Sequence, residues 1–361
     1  MAGLGPVNGA NGTNGVNGTN GVKTADGATP VTGANGPGAA MTSGLDDLGL
    51  VSARRLIDGP AEVTFSLAPG DRALVAAGET VVAGAPIAER LRDPVLIDRV
   101  VLASAEPLPG GRVPEGELLF AWRDRWRIAA GEVAETLDSP VTGIVRDVRP
   151  GSAIVIQASG RALRGIVTLG GPTRGRIHIA AGSDGELRSA GLDVGLAGTI
   201  LVVGSRIDAE TLTRARAMGV RGIVVGGLAS KERRDFTASE RRQRAALHRL
   251  APYAVLVLEG ASRRPLPAPV MDILHALEGH EVAIVGDPPM LIFETPDGGV
   301  PVLRPDYVRV RGGPLAGREG SWAGIVGPRR FAGGVQLEAG SVRFENGSVT
   351  AVPLGDLERF V

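Results

Sequence analysis

The run Thr199-Ile200-Leu201-Val202-Val203 decides how the middle of this chain folds. It is continuous and apolar, without the polar alternation of a half-exposed strand. Such a run is typical of a strand that is covered on both faces of a parallel sheet. Gly222–Val225, Ala254–Leu258 and Val282–Val285 repeat the pattern further along the chain. The sequence therefore predicts a sheet with a buried centre.

Helix signals separate these strands. Asp208 can N-cap a helix, and Gly219 fits the C-cap position of the same helix. Lys231–Leu250 and Ala268–Leu277 also have helical patterning. Because strands that alternate with helices form parallel sheets with right-handed crossovers, we expect a small parallel α/β module over residues 196–300.

Residues 46–195 show a different pattern, with short apolar runs that Gly and Pro interrupt. Period-two alternation and frequent turn residues predict a β-rich module. Two segments resemble the halves of a barrel-sandwich hybrid domain, the fold of lipoyl and biotin carriers. They are Ala68-Pro69-Gly70-Asp71 through Glu89, and Ser139-Pro140-Val141-Thr142-Gly143 through Gly151. The resemblance implies two halves that interlock around one core.

Carrier function does not follow from this resemblance. Carriers of this type need a lysine at a hairpin tip, and no lysine lies between Lys23 and Lys231. We therefore expect a structural module and predict no cofactor. The chain has no Cys, and its four His lack a metal-binding spacing, so no metal site is predicted.

The last segment, residues 301–361, contains Val308-Arg309-Val310-Arg311-Gly312-Gly313-Pro314-Leu315-Ala316-Gly317-Arg318-Glu319-Gly320. This stretch resembles a KOW motif, found in transcription-elongation factors and ribosomal proteins. The resemblance implies an SH3-like barrel, with Val308 and Val310 inside. It also implies RNA, ribosome, RNA polymerase or another protein as partner. The turn residues of the motif would be Gly313, Pro314, Gly317 and Gly320, with a backbone bend at Gly320. Asn346-Gly347 predicts a hairpin nearby.

Basic and aromatic side chains supply the candidate contacts with nucleic acid or a partner. In the C-terminal segment they are Arg309, Arg311, Arg318, Arg329 and Arg330, with Trp322 and Phe331 as stacking residues. The alternative for Trp322 and Phe331 is a place in the core. The basic helix adds Arg233 and Arg241. The alternative there is a solvated helix face laced with local ion pairs.

The chain as a whole has no charge bias, with 39 basic and 39 acidic residues. Any polyanion contact must therefore come from a local patch. Residues 1–45 contain repeated Asn-Gly pairs and predict a disordered tail, either a tether or a recruitment arm. Apolar runs are too short to span a bilayer and a secretory signal pattern is missing, so we expect a cytoplasmic protein with no membrane contact.

Catalytic patterns are missing as well. The chain has no nucleophile elbow, no Ser-His-Asp order and no phosphate-binding glycine motif. Gly204-Ser205 and Gly226-Gly227 follow strands, where a helix N-terminus could hold an anion, but ordinary βα loops have the same composition. No catalytic residue is nominated, and whether the protein is an enzyme stays open.

The sequence thus predicts a mixed β and α/β protein: tail, barrel-sandwich-like module, parallel α/β module and KOW barrel. The expected function is that of a non-enzymatic adaptor, which docks through the KOW barrel onto an RNA-containing or transcription/translation assembly. Two alternatives remain. One is a structural accessory subunit of an enzyme complex, and the other is a small-molecule-binding enzyme or sensor that uses the α/β module.

Overall fold

The fold was analysed in a computed structural model. It describes residues 50–360 except 53–55, 68–70, 92–95, 99–117, 123–124, 129–132, 247–250 and 303. The predicted tail over 1–45, the predicted turn at 68–70 and the end of the predicted helix at 247–250 lie outside the described residues. The described part is a mixed, strand-rich protein with several sheets and few helices.

Among the described residues, the elements before the first α-helix are strands or short 3-10 turns. In chain order the strands are β1 (Val51–Ser52), β2 (Leu56–Ile57), β3 (Ala61–Ser66), β4 (Asp71–Ala73), β5 (Thr80–Val81), β6 (Pro86–Leu91), β7 (Leu96–Asp98), β8 (Leu118–Trp122), β9 (Arg125–Ile128), β10 (Val133–Asp138), β11 (Gly143–Arg149), β12 (Ala153–Ala158), β13 (Arg161–Arg164), β14 (Val167–Gly170), β15 (Thr173–Ile179), β16 (Glu186–Leu187) and β17 (Thr199–Ile207).

Helices and strands then alternate before strands return. The elements are α1 (Ala209–Ala217), β18 (Gly222–Gly227), α2 (Ser230–Ala246), β19 (Ala254–Gly260), α3 (Ala268–Ala276), β20 (Glu281–Gly286), β21 (Pro289–Phe293), β22 (Tyr307–Val310), β23 (Glu319–Arg330), β24 (Gln336–Phe344), β25 (Val349–Pro353) and β26 (Leu357–Arg359).

A ten-stranded sheet forms the centre, in the order β14-β19-β18-β17-β15-β20-β21-β13-β2, with β16 paired to β17. Strands β17, β18 and β19 are parallel, as the apolar runs predict, and β15 from the preceding β-rich segment also pairs in parallel with β17. The caps of α1 are confirmed. The Asp208 carboxylate accepts from the Thr211 N–H at 2.7 Å, and Gly219 has a φ of 86° after the last turn.

The prediction that Val282–Val285 continues the parallel sheet is wrong. The run lies in β20, which pairs antiparallel with β15. Helix α3 ends beside the carboxyl half of β15, where the Gly279 N–H donates to the Ile177 carbonyl. Because the chain leaves α3 at this end of the sheet, its next strand must run back along β15.

Strands from both sides of the predicted border at 195/196 share this sheet. Strands β13, β14 and β15 come before the border, and β17 comes after it. Strand β1 likewise pairs in parallel with β26 near the end of the chain. Residues 41–361 form one compact unit. The shared sheets do not mark a domain border at 195/196 or at 300/301, so both borders stay predictions.

Two smaller antiparallel sheets, β3-β12-β11-β5 and β10-β6-β4, share one aliphatic core and are called the sandwich below. The first predicted half supplies β5, which pairs with β11 of the second half, and most of β6, which pairs with β10 just before the second half. The two segments thus interlock. The third small sheet, β7-β9-β8, lies in the chain between β6 and β10. The name barrel-sandwich hybrid stays a prediction.

Alternate residues of the central strands serve two different cores. Leu201 and Val203 of β17 pack in the core that contains residues of α1 and α2. Ile200 and Val202 pack with α3 and with Tyr307 of the C-terminal sheet. The two helices α1 and α2 therefore cover one face of the ten-stranded sheet, while α3 and the C-terminal sheet cover the other.

The C-terminal sheet has the order β1-β26-β22-β23-β24-β25. Val308 and Val310 are buried in its core, as predicted. The predicted hairpin at Asn346-Gly347 joins β24 to β25, and Gly347 has a φ of 78°. The specific name, an SH3-like KOW barrel, stays a prediction.

Candidate docking surfaces

Strands β23 and β24 form a two-stranded ribbon that extends beyond their neighbours. Strand β24 pairs with β25 only over Ala339–Arg343, and β23 pairs with β22 only over Glu319–Ser321. From the pair Pro328–Glu338 to the pair Arg330–Gln336, no described strand lies beside the hairpin. Residues 324–338 are called the ribbon below. They present both faces of a hairpin to solvent.

The ribbon exposes large apolar side chains together with arginines. Ile325 is 63% exposed, Val335 54% and Leu337 42%. Arg329 and Arg330 are exposed beside them, as predicted contacts should be. Exposed apolar side chains that lie together mark interaction sites, and Leu337 lies directly opposite Arg329 in the hairpin. The ribbon is therefore a candidate docking surface.

The edge of the ribbon along β23 is protected against strand addition. Register shifts, which mark bulges, occur between Trp322 and Gly324 and between Ile325 and Gly327. Pro328 follows, and its nitrogen carries no hydrogen to donate. Bulges, proline and charged residues are the devices by which proteins protect an open edge. A partner would therefore recognise the side chains on the ribbon faces.

The prediction that Arg309 contacts a phosphate is wrong, because its side chain is only 4% exposed. It donates to Glu259 of β19 at 2.6 Å and also pairs with Glu358 of β26. Burial alone would lower the pKa of Arg309, but the two carboxylates outweigh it and the pKa is raised. Arg309 thus joins the C-terminal sheet to the ten-stranded sheet.

Glu319 makes a second polar contact at the same interface. Its carboxylate accepts from the Ala268 N–H at the start of α3, at 3.1 Å. Burial raises the pKa of Glu319, and the hydrogen bond from Ala268 and the charge of Arg309 offset only part of this effect. Burial also raises the pKa of Tyr307 beside it. These groups are structural rather than available to a ligand.

The other predicted contacts of the C-terminal sheet vary in accessibility. Arg311 is exposed and lies 3.6 Å from Glu358. Arg318 is exposed, with its guanidinium 4.1 Å from the centre of the Phe344 ring. Trp322 is half-buried against the core of the sheet, which favours the core alternative. Phe331 is half-buried at the tip of the ribbon.

Of the four predicted turn residues, Gly313, Pro314 and Gly317 lie in the connection between β22 and β23, and Gly320 lies in β23. Gly313 and Gly317 have φ values of 72° and 86°, and Pro314 lies in the 3-10 turn between them. Gly320 lies inside β23 and makes no bend there. A Cβ at Gly320 would approach the Arg343 carbonyl oxygen to 2.4 Å, so the close approach of the two strands requires the glycine.

Helix α2 presents four arginines to solvent and turns two of its three acids inward. Glu232 accepts from the Ala209 N–H at 2.8 Å, and Glu240 lies 3.5 Å from the nearly buried Arg216. Only Lys231–Asp235 forms an ion pair along the described part of the helix, at 3.7 Å. The exposed arginines are Arg233, Arg234, Arg241 and Arg242, called the basic face below. None of these four forms an ion pair with a described residue.

The carboxyl edge of the parallel strands, where α/β sheets usually bind ligands, is filled by backbone. A Cβ at Gly204 would lie 2.0 Å from the Gly182 carbonyl oxygen, and one at Gly227 would lie 2.3 Å from that of Ser262. Ser205 continues β17 and does not start a helix. The first donors of α1 bond to carboxylates of the chain itself. The glycines here permit close packing, and the anion site is not formed.

Two neighbouring cavities lie between the sandwich and the amino edge of the parallel strands. Their volumes are about 470 and 450 Å³, and both are lined by Pro140, Arg174 and Glu281. Arg174 pairs with Glu281 at 3.1 Å. Arg221 reaches the smaller cavity without forming an ion pair in the described part of the chain.

The described residues contain neither a candidate metal site nor a candidate membrane-spanning helix. In the described ranges, no three His, Asp or Glu side chains are grouped so that they could hold a metal ion. None of the described helices has the length and hydropathy of a bilayer-spanning segment. In comparisons with known proteins, the chain matches no protein-family model and no curated protein. The candidate sites therefore have no support from relatives, and the residues of this chain are the basis for assigning them.

Proposed function

We propose that the protein is a non-enzymatic adaptor that docks through its C-terminal sheet onto an RNA-containing transcription or translation assembly. The observation that carries the proposal is the ribbon, with exposed Ile325, Val335 and Leu337 beside Arg329 and Arg330. The resemblance of Val308–Gly320 to a KOW motif supports the choice of assembly. A cytoplasmic location belongs to the same proposal.

The composition of the ribbon suits a protein partner. Interface centres are more apolar than the rest of the surface, enriched in aromatic residues and arginine, and depleted in lysine and acids. In the ribbon, arginines stand next to aliphatic side chains and Glu338 is the one acid. Because hydrogen bonds between β23 and β24 fix the hairpin in advance, a partner would not have to order it on binding.

The closed carboxyl edge supports a role without catalysis. Gly204 and Gly226 approach backbone atoms of the loops around residues 182–185 and 262–264 so closely that no side chain would fit. A substrate would have to displace these loops. The ribbon and the basic face are exposed surfaces whose side chains suit binding of a partner.

The test is a variant with a shortened ribbon. Residues 328–338 are replaced by an Asn-Gly turn, so that the pair Gly327–Ala339 closes the hairpin. The wild type and the variant are used as bait for affinity capture from source cells, with and without nuclease. We expect the wild type to recover ribosomal or polymerase components under both conditions and the shortened variant to lose them.

A matched control replaces one exposed aliphatic residue outside the ribbon. Ile166→Ser changes a side chain of similar exposure, 51%, and should leave capture intact. Recovery of no ribosomal or polymerase component by the wild type would contradict the proposal. Recovery of one enzyme in fixed ratio, without RNA, would favour an accessory subunit instead.

A second candidate function, small-molecule binding, is favoured by the two cavities beside Arg174. Clefts between modules are common ligand sites. A thermal-shift screen with nucleotides, phosphates and amino acids tests it, because a ligand that binds the folded state raises the melting temperature. No stabilisation at millimolar ligand would count against this candidate.

A further inference from the structure

The basic face of α2 is a compact row of charge. At 3.6 residues per turn, Arg234 and Arg241 differ by about 20° around the helix axis and by about 10 Å along it. Arg233 and Arg242 lie on either side of this line. The buried Phe236 is on the opposite side of the helix and packs in the core with α1. Arg234 and Arg241 therefore point away from Phe236, and Arg233 and Arg242 are also exposed, one on each side of them.

The acids that would neutralise this row are used elsewhere. Glu232 bonds to the first turn of α1, and Glu240 lies beside Arg216 between the two helices. Asp235 pairs with Lys231. Since surface arginines usually have acidic neighbours on the same helix, this arrangement leaves a local positive potential on a protein with zero net charge.

The chemistry of the row favours nucleic-acid phosphates over a lipid surface. Arginine binds phosphate oxygens with two parallel hydrogen bonds, which lysine does not. A helix that lies in a membrane interface needs an exposed apolar face. The apolar face of α2 is already buried against the sheet, with Phe236 only 2% exposed.

We propose that the basic face of α2 binds the phosphate backbone of RNA, at a site separate from the ribbon. Helix α2 covers one face of the ten-stranded sheet, while the C-terminal sheet covers the other. One protein partner on the ribbon and one RNA on α2 can therefore bind at the same time. The choice of RNA over DNA rests on the proposed function.

The test uses the full chain and a fluorescently labelled RNA hairpin of mixed sequence, with binding followed by anisotropy over a range of salt concentrations. The variant R233Q/R234Q/R241Q/R242Q is compared with the wild type. We expect the variant to bind RNA at least tenfold more weakly. We also expect its salt slope to fall by about 0.7 to 0.9 for each phosphate that the protein no longer neutralises.

A matched control removes two exposed arginines elsewhere, in R164Q/R188Q, and should bind RNA like the wild type. Unchanged RNA binding by the α2 variant would overturn the proposal. So would an equal loss in the control, equal binding of a DNA hairpin of the same sequence, or equal binding of phosphatidylserine vesicles. The shortened ribbon should leave RNA binding unchanged, which separates failure of this site from failure of the docking function.

Discussion

Strand β22 and helix α2 both carry arginines that the sequence nominates as contacts, and the structure uses them in opposite ways. Arg309 of β22 lies between Glu259 and Glu358 and is nearly inaccessible. On α2, Arg234 and Arg241 are exposed while the acids of the helix turn inward. The arginines of α2 are thus available to a ligand because the neighbouring acids are engaged elsewhere, whereas Arg309 is enclosed by its own acidic partners. Variants of both regions can be compared in one assay, the free energy of unfolding in urea.

The largest effect should come from Arg309. We expect Arg309→Ala to lower the free energy of unfolding by about 3–5 kcal/mol, because it removes a buried guanidinium from between two buried carboxylates. Arg330→Ala in the ribbon, as the matched control, should change it by less than about 0.5 kcal/mol. Equal effects of the two substitutions would contradict the distinction between the buried Arg309 and the exposed Arg330. Replacing Arg309, Glu259 and Glu358 together by apolar residues should recover most of the loss.

Glu240 tests the inward side of α2. We expect Glu240→Ala to cost about 2 kcal/mol, since Arg216 is only 7% exposed and would lose a carboxylate at 3.5 Å. Asp235→Ala on the same helix breaks an exposed pair and should cost less than about 0.5 kcal/mol. A larger effect at Asp235 than at Glu240 would contradict the assignment of inward and outward acids.

A smaller effect is expected at Glu232. Its carboxylate accepts from the Ala209 N–H in the first turn of α1 and also complements the helix dipole. Glu232→Ala should lower the free energy of unfolding by about 0.5–1 kcal/mol. Glu232→Gln, which retains an acceptor, should lose less. If both variants equalled the wild type, this acid would be free to neutralise the basic face.

The smallest effect concerns pH. Because the pKa of Glu319 is raised in the folded state, the proton on this group stabilises the fold in acid. That contribution is lost as the pH rises through the raised pKa. Glu319→Gln should remove this part of the pH dependence, while Glu338→Gln on the exposed ribbon should not. Urea unfolding at several values between about pH 4 and 7 measures the difference.

Much of the fold could be predicted from local patterns. The run at Thr199–Val203 and those at Gly222 and Ala254 predicted parallel strands correctly, because a run covered on both faces needs no alternation. The direction of β20 could not be predicted. It depends on where α3 ends beside Ile177, and packing between distant segments determines that point.

The candidate sites show the same division between local and distant information. Arg309 alternates with two core valines and so looks solvent-facing. It is buried because Glu358 and Glu259 come from positions 49 and 50 residues away. On α2 the inward position of the acids could be predicted from the sequence. Glu232 and Glu240 lie four residues before and after Phe236, so the helical period places both acids beside the buried side.

The position of β21 also has a consequence for how the chain is made. Strand β13 follows the sandwich in sequence, yet its neighbours in the sheet are β2 and the much later β21. Met290 and Ile292 of β21 complete the core of the sandwich. At ordinary translation rates of roughly 5–20 residues per second, a growing chain waits about ten seconds between finishing β12 and supplying those side chains. Nascent chains therefore carry an unfinished sandwich, and a stop codon before residue 289 would leave it that way.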